Sequence, residues 1–413
     1  MEKKKFHIEL GEPVVVSAGY ITEDDVPCKW GPLQFPRLFR TAKGHIQCEW
    51  NMCDDDIIGG NTIAGARNAV SEDGGKTWRA VTPEDKVVGY CMMENGKWFN
   101  GFGGKAGYPA TGITDGVTPA AENEQAKVYF ASDCPNADVS ISCLEADPVT
   151  GAVNSFPATL NWPYLPIAAQ VRKVTPPDLI HPTARVFSLS NQAGQLLLDD
   201  GLYNCVYERG FNSVTGEANK YSSCFNIYIF KSTDNARTWN FVSQILMDEE
   251  HYNVRNIPGF EGFCEPKMEK MPDGSVVMLI RTGGVHPSYI TRSTDNCKTW
   301  SNPVIFDDFG VLPQITALKC GVTIATYGRP RLRVRATGDP SGLEWEAPIE
   351  IPMSLPFEKD TSPHHTRTSC FYTRLLALDD TTALMTYTDF HYPDKNGDTR
   401  KSVLVRTIKV VLD

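Results

Sequence analysis

The 413-residue sequence has no apolar run of about 18 residues, the length that a membrane-spanning helix needs. Its 12 cysteines form no C-x-x-C pair and no metal-finger spacing, and its eight histidines form no H-x-H or H-x-x-x-H pair. Basic residues (40) are fewer than acidic ones (50), and the one basic cluster is Lys3, Lys4 and Lys5. These absences argue against a nucleic-acid or membrane partner, and they give no reason to expect a metal or another cofactor.

The N-terminus, MEKKKFHIELGEP, is basic but has no apolar stretch behind it, so it is not typical of a secretion signal. With the scattered cysteines, this predicts buried free thiols in a reducing cytoplasm. A chain from which a signal had been removed would show the same features, and it would be secreted or periplasmic.

A short pattern of serine, aspartate and tryptophan is repeated along the chain. The Ser and Asp side chains, two residues apart, can bond nearby backbone amides and hold a tight turn, while the Trp covers its apolar side. Three full copies and one degenerate copy occupy 71–78, 232–239, 293–300 and 337–345. Their spacing suits one four-stranded β unit per copy. The pattern therefore predicts structural turns and not an active site.

Strand signals dominate the remainder of the chain. Short β-branched and aromatic runs alternate with Gly, Pro, Asp and Asn turns, and no long helical period appears. Because repeats of this length usually close into one ring, we expect an all-β, six-bladed β-propeller that forms a single domain over residues 1–413. The expected blades span 30–85, 88–165, 180–245, 262–308, 311–352 and 366–412.

Two regions of the chain are predicted to have roles other than that of a regular blade. The N-terminal segment 6–20 would pair into the last blade and close the ring, which removes an open sheet edge. The stretch 100–180 is rich in Gly, Pro, Ala and Asn, and we expect it to carry a long loop on the binding face.

One apolar hairpin is predicted to bring a carboxylate and a guanidinium together. If Asp273-Gly274 forms the two-residue turn, Glu265 lies within one residue of being opposite Arg281. The pair could be a structural ion pair or part of an active site, and the spacing alone does not decide between them.

A second hairpin is predicted to pair a tyrosine with an acid. A turn between Asp380 and Thr381 places Tyr372 directly across from Asp389. A strand-end tyrosine bonded to an acid is common architecture, so this pair alone is a weak functional signal.

In order and spacing these residues resemble the sialidase superfamily, and the repeated turn resembles the Asp box of sialidases and related propellers. The resemblance spans nearly the whole chain and is most specific in the last three blades. It implies that Tyr372 is the nucleophile and that Glu265 is the base that activates it. It also implies that Arg281 and Arg329 bind a substrate carboxylate and that Asp389 supports the first arginine of the clamp.

The first blade departs from that family. Where sialidases have Phe/Tyr-Arg-Ile-Pro, this chain has LQFPR, so that Gln34 stands at the position of the first arginine. Arg37 could reach in from its neighbouring position; otherwise the clamp has two arginines. The acid/base implied by the resemblance would be Asp56, with Asp54 and Asp55 as alternatives, although three successive acids could also be a solvated loop or a cation site.

The resemblance and the residue types together favour a glycoside hydrolase. A neutral tyrosine is not repelled by a substrate whose anomeric carbon bears a carboxylate, and guanidinium forks suit that carboxylate. We therefore expect an exo-acting enzyme that removes a terminal acidic sugar with retention, and a glycan as its partner. The missing arginine leaves open a hydrolase or lyase for a uronate-containing glycan. A fold does not imply an activity, so a non-catalytic carbohydrate-binding propeller is also possible.

Overall fold

The computed structural model describes residues 2–19, 33–52, 66–103, 113–123, 126–170, 183–186, 194–360 and 367–413. In these ranges the chain is built from β-strands, with short 3₁₀ helices at Ala131–Asp133 and Phe357–Lys359. No helix in the described ranges is long and apolar enough to cross a membrane. The all-β prediction is confirmed for the described residues.

The strands are numbered in chain order. The strands of the first half are β1 (Phe6–Leu10), β2 (Val14–Gly19), β3 (Gln34–Arg40), β4 (Ile46–Asn51), β5 (Ala66–Ser71), β6 (Arg79–Ala80), β7 (Cys91–Met92), β8 (Trp98–Gly103), β9 (Ala121–Glu122), β10 (Ala126–Phe130), β11 (Ile141–Ala146), β12 (Val153–Asn161), β13 (Pro166–Gln170) and β14 (Thr183–Val186). Those of the second half are β15 (Gln195–Leu198), β16 (Gly201–Arg209), β17 (Phe225–Ser232), β18 (Thr238–Ile245), β19 (Phe260–Lys270), β20 (Val276–Gly283), β21 (Ser288–Ser293), β22 (Val304–Asp307), β23 (Val311–Ala317), β24 (Thr323–Gly328), β25 (Arg333–Thr337), β26 (Ile349–Glu350), β27 (Arg374–Ala377), β28 (Thr382–Pro393) and β29 (Thr399–Leu412).

Most strands belong to four-stranded antiparallel meanders. Strands β3–β6 and β23–β26 form separate sheets in chain order. The meanders β15–β18 and β19–β22 are joined into one larger sheet where β17 and β19 run parallel, at Phe225 and Gly262. This junction lies at the start of β19, and it positions part of the candidate site.

The range 100–180 departs from the expected blade order. In its described residues, part of the expected long loop is replaced by strands of two interleaved groups, β7–β8–β11–β12 and β9–β10–β13–β14. Strand β11 matches the first residues of β12 one for one, and its pairing with β8 shifts register between Leu144 and Glu145. Small residues and prolines in these strands weaken the alternation of large apolar side chains, which is the signal by which strands are recognised.

The N-terminal strands extend the last sheet. Strand β1 pairs with β29 from Phe6 opposite Leu412 to Leu10 opposite Ile408, and β2 pairs with an earlier part of β29. Strands β28 and β27 complete this sheet. The predicted pairing of the N-terminus into the last sheet is confirmed. Closure of the sheets into six blades, and the single domain over 1–413, stay predictions.

The repeated turns close with the hydrogen bonds that the sequence predicts. Ser71 Oγ donates to Asp73 Oδ1 and accepts from the Gly75 amide, and Asp73 Oδ1 also accepts from the Thr77 amide. The second and third copies repeat these bonds. In the second copy Trp239 is 1 % exposed and packs on two phenylalanines of β8. These contacts give the turns a structural role.

The apolar core is divided between neighbouring sheets. One cluster joins Cys205 and Ile229 of one meander to Met268 and Met278 of the next. Another cluster joins β23–β25 to β27–β29. Because each sheet packs its apolar residues against the next, the ends of strands from several sheets are held at fixed separations.

Candidate active site

Glu265 and Arg281 lie on the two strands of one hairpin. Cys264 pairs with Arg281, and register shifts on both sides place Glu265 in a bulge of β19. Glu265 has a φ of 45°, which non-glycine residues rarely adopt. The prediction that Glu265 lies within one residue of being opposite Arg281 is confirmed.

Tyr372 reaches the same point from the residues before β27. Its hydroxyl donates to Oε1 of Glu265 at 2.5 Å. Nη1 of Arg281 lies 2.6 Å from that carboxylate oxygen and 3.1 Å from the phenol oxygen. The other Glu265 oxygen accepts from the Leu312 amide at 2.7 Å. Glu265, Arg281 and Tyr372 therefore share one hydrogen-bond network.

The charges in this network favour a neutral phenol beside a carboxylate. Burial raises the pKa of Tyr372 well above its ordinary value, and the charge of Glu265 raises it further. Burial lowers the pKa of Arg281, but the carboxylates of Glu261 and Glu265 outweigh burial and raise that pKa well above its ordinary value. A protonated tyrosine bonded to a carboxylate is the arrangement by which an adjacent base can activate a nucleophile.

Arg329 lies beside the network. It is 5 % exposed, its Nη2 donates to the Cys370 carbonyl at 3.1 Å, and its guanidinium carbon is 5.9 Å from the centroid of the Tyr372 ring. Burial and the charge of Arg281 lower its pKa. The structure thus brings together four of the predicted site residues, namely Glu265, Arg281, Arg329 and Tyr372.

The backbone around this site is strained at several positions. Positive φ angles between 37° and 60° occur at Leu312, Glu265, Phe35, Arg329 and Phe371. Phe35 packs on Tyr372, with ring centroids 4.7 Å apart. Such conformations cost roughly 1–3 kcal/mol each and persist where the surroundings enforce them, which is common at active sites. The strain supports the assignment of this region as the functional site.

Glu261 is a site residue that the sequence reasoning missed. Its carboxylate lies 3.2 Å from Nη2 of Arg281, and its side chain is 38 % exposed. Burial raises its pKa, but the charge of Arg281, a hydrogen bond from Cys264 and two further arginines lower that pKa overall. The only signal in the sequence is an acid near Glu265. The alternation of apolar and polar residues along a strand does not predict the bulge that turns both acids toward one arginine.

Arg209 was also missed. It is 5 % exposed, its Nε donates to the Ser223 carbonyl at 3.0 Å, and its guanidinium carbon lies 3.9 Å from the centroid of the Phe225 ring. Its Nη1 is buried without a hydrogen-bond partner in the described part of the chain. Arg209 pairs with Phe225, and Phe225 pairs with Gly262, so Arg209 lies near Glu261.

Arg37 lies in a different pocket. Its Nη2 contacts Oε1 of Glu49 at 2.5 Å and Oδ1 of Asn51 at 3.1 Å. The pocket is lined further by Tyr90 and Asn100. None of the hydrogen bonds described for Arg37 reaches the Tyr372 network. From the sequence, Arg37 could have replaced the missing first arginine. In the structure its guanidinium is instead bonded to side chains of the neighbouring strand in the same sheet.

Asp389 does not face Tyr372 as predicted. It pairs with Ser402 of β29, and β27 begins only after Tyr372. The Asp389 carboxylate is buried and accepts from the amides of Ser354 and His391, at 2.9 Å each. Its described hydrogen bonds are to backbone amides. The predicted pairing with Tyr372 is therefore wrong, and the supporting role implied for Asp389 stays a prediction.

The predicted acid/base residues Asp54, Asp55 and Asp56 lie outside the described residues, and their role stays a prediction. Within the described ranges, no group of three or more His, Cys, Asp and Glu side chains is placed to hold a metal ion. The cysteines of these ranges are free thiols, and most are buried. The side chains that the described residues bring together at the site are a tyrosine, carboxylates and guanidinium groups.

Comparisons with known proteins identify a similar fold. No protein-family model matches the chain, and no curated protein matches it. A solved structure of a Dyadobacter fermentans protein of unknown function is similar over 98 % of this chain and 99 % of its own, with 16 % identity and a TM-score of 0.58. That likeness is one of fold.

Two enzymes are more distantly similar. A Penicillium chrysogenum α-L-arabinanase complexed with arabinobiose has 13 % identity and a TM-score of 0.48, with 97 % of this chain and 98 % of its own covered. An intramolecular trans-sialidase from Ruminococcus gnavus has 13 % identity and a TM-score of 0.43, with 92 % and 95 % covered. At such low scores the likeness carries no conclusion about the chemistry of this chain.

Proposed function

We propose that the protein is a retaining, exo-acting glycoside hydrolase in which Tyr372 attacks the anomeric carbon and Glu265 accepts its proton. The observation that carries this proposal is the 2.5 Å contact between the Tyr372 hydroxyl and Oε1 of Glu265. This is the short end of the O–H···O hydrogen-bond range, so the carboxylate oxygen is in direct reach of the tyrosine proton. An unassisted tyrosine would be a poor nucleophile at neutral pH, since its pKa is near 10 even when it is exposed.

The first step forms a bond between the Tyr372 oxygen and the anomeric carbon while the bond to the leaving oxygen breaks. The tyrosine proton moves to Oε1 of Glu265, and the Leu312 amide holds the other oxygen of that carboxylate. Negative charge that develops on the phenol oxygen is stabilised by Nη1 of Arg281, 3.1 Å away. The proposal assigns protonation of the leaving oxygen to the acidic run that contains Asp56.

The second step releases the sugar. A water molecule gives a proton to the same acid/base and attacks the anomeric carbon. The bond to Tyr372 then breaks, and Glu265 returns its proton to the phenol oxygen. Two displacements at one carbon leave the anomeric configuration unchanged, so retention is the stereochemical result that this mechanism requires.

The test is to trap the covalent intermediate. Fluorinated glycosyl fluorides of common hexoses, pentoses, uronic acids and a nonulosonic acid are incubated with the protein, and adducts are located by peptide mass spectrometry. We expect one glycosyl adduct on the peptide that contains Tyr372, and none in Tyr372→Phe. Tyr164→Phe removes the hydroxyl of a tyrosine that is 48 % exposed, and it should label like the wild type. An adduct on a carboxylate, or an inverted product seen by proton NMR, contradicts the proposal.

A further inference from the structure

One carboxylate at the edge of the Tyr372 network, that of Glu261, contacts one arginine and feels the charges of two more. Arg281 donates to Glu261 at 3.2 Å, and the charges of Arg329 and Arg209 act on the same carboxylate. The arginines come from β20, from the residue after β24, and from the last position of β16. Guanidinium groups are permanently charged and match the two oxygens of a carboxylate, so this cluster has the composition of an anion site.

The position of Glu261 is enforced by the backbone beside it. Gly262 has a φ of 96°, and a Cβ built on it would lie 2.5 Å from the backbone nitrogen of Phe225. Any larger residue would therefore push β19 away from β17. Glycine allows the two strands to pair there, and the pairing places Glu261 beside the meander that carries Arg209.

The charge on Arg281 is already shared between two carboxylates. Its Nη1 contacts Glu265 at 2.6 Å and its Nη2 contacts Glu261 at 3.2 Å. Since the Glu261 side chain is 38 % exposed and that of Arg281 only 8 %, a ligand that enters the site meets a negative carboxylate beside this arginine. A substrate carboxylate would have to lie against this like charge or displace it, whereas a hydroxyl group can donate to it.

We infer that Glu261 fills the anionic position of the site, and that the enzyme acts on a terminal sugar with hydroxyl groups, not a carboxylate, at that position. The inference rests on the proposed glycoside hydrolase function. It replaces the expectation of an acidic sugar, which assumed that Arg281 is free to bind a substrate carboxylate.

The test compares matched substrates on the full chain. Aryl glycosides and the corresponding aryl uronides, together with an aryl sialoside, are assayed with the wild type and Glu261→Gln. We expect the wild type to prefer the neutral member of each pair. Glu261→Gln should shift the ratio of kcat/KM toward the acidic member by about tenfold or more, because a charge-assisted hydrogen bond becomes available to it. Glu217→Gln, which changes an exposed carboxyl elsewhere, should leave the ratio unchanged.

A binding measurement separates this inference from the proposed function. Free glucuronate, galacturonate and N-acetylneuraminate are titrated into both proteins by calorimetry, which needs no turnover. Tighter binding of an acid by Glu261→Gln than by the wild type supports the inference even if no substrate is cleaved. The inference is wrong if the wild type binds or cleaves the acidic sugars better than the neutral ones and Glu261→Gln lowers the affinity or kcat/KM for the acidic sugars.

A second variant tests the part assigned to Arg209. Glu261→Gln combined with Arg209→Met should lose part of the gain in affinity for acids, while its melting temperature shows whether it still folds. If Arg209→Met leaves the gain in affinity for acids unchanged, Arg209 is not part of the anion site.

Discussion

The phenol oxygen of Tyr372 lies 2.5 Å from Oε1 of Glu265, although 107 positions separate the two residues in the chain. Both side chains are aimed at this point by unusual backbone, since Glu265 has a φ of 45° and Phe371, just before Tyr372, has a φ of 60°. The contact therefore depends on unusual backbone at two places, one in the bulge of β19 and one just before β27.

Glu265→Gln should lower kcat/KM by about 10²–10⁴-fold, the usual contribution of a general base, because an amide cannot take the Tyr372 proton. The variant retains acceptor and donor atoms of similar shape, so we expect it to fold. Steady-state kinetics on a cleaved aryl glycoside gives the loss, with Glu346→Gln, an exposed carboxyl, as the control. Activity close to that of the wild type would contradict the role of Glu265.

Arg281→Met should lower the free energy of unfolding by about 3–5 kcal/mol, because it leaves the buried carboxylate of Glu265 without its cation. Urea unfolding measures the change. The matched control is Arg255→Met, since Arg255 pairs with Asp308 at the surface, where ion pairs contribute about 0–1 kcal/mol. Equal losses in the two variants would mean that the Arg281 pair is as weak as a surface pair.

Trp239→Ala should cost roughly 3–5 kcal/mol of stability, because its side chain is fully buried and its loss leaves a cavity. Trp300→Ala should cost less, since Trp300 is only partly buried. Neither substitution should change kcat/KM at a temperature where both variants are folded. A variant that keeps its melting temperature but loses activity would show that these turns contribute to the site.

Asp389→Ala should lower stability by about 1–3 kcal/mol, because the amides of Ser354 and His391 lose a charged acceptor. KM should be unchanged, since the Asp389 carboxylate bonds backbone and no arginine in the described contacts. Thermal unfolding and steady-state kinetics are measured on the same preparation. A raised KM with unchanged stability would instead favour the supporting role that the sequence predicted for Asp389.

Glu269→Gln should flatten the dependence of stability on pH. Burial raises the pKa of Glu269 to about 7, whereas its ordinary value is 4.5. The folded state thus binds this proton more tightly than the unfolded state, so its contribution to stability falls as pH rises from 4.5 to about 7. Urea unfolding at pH 5 and pH 8 compares the variant with the wild type and with the exposed Glu217→Gln. Equal pH slopes in all three would contradict the raised pKa.

Features that depend on residues close in sequence were predictable. The turn at Ser71 and Asp73 is closed by atoms within a few positions, so the pattern of side chains determines it. The meeting of Glu265 and Arg281 follows from one tight turn and the antiparallel register that it sets, which predicted Glu265 within one residue of being opposite Arg281, as observed. The all-β class likewise follows from short runs of strand-forming residues between turn residues.

Features that depend on bulges and on contacts between meanders were decided by tertiary structure. A bulge changes which face a side chain occupies, so alternation could not show that Glu261 and Glu265 bind one arginine. Arg209 enters the site through a parallel contact of Phe225 with Gly262, a pairing that no local turn specifies.

The partners of Arg37 and Asp389 also could not be predicted from the sequence. Arg37 is paired with the Glu49 side chain on the neighbouring strand, and Asp389 accepts from the backbone amides of Ser354 and His391. Sequence alone therefore determined the all-β class, the repeated turns and the residue types available for catalysis, whereas it did not show the strands within 100–180. Only the tertiary structure decided which charges meet, because a shift of one residue in register moves a side chain to the opposite face of its strand.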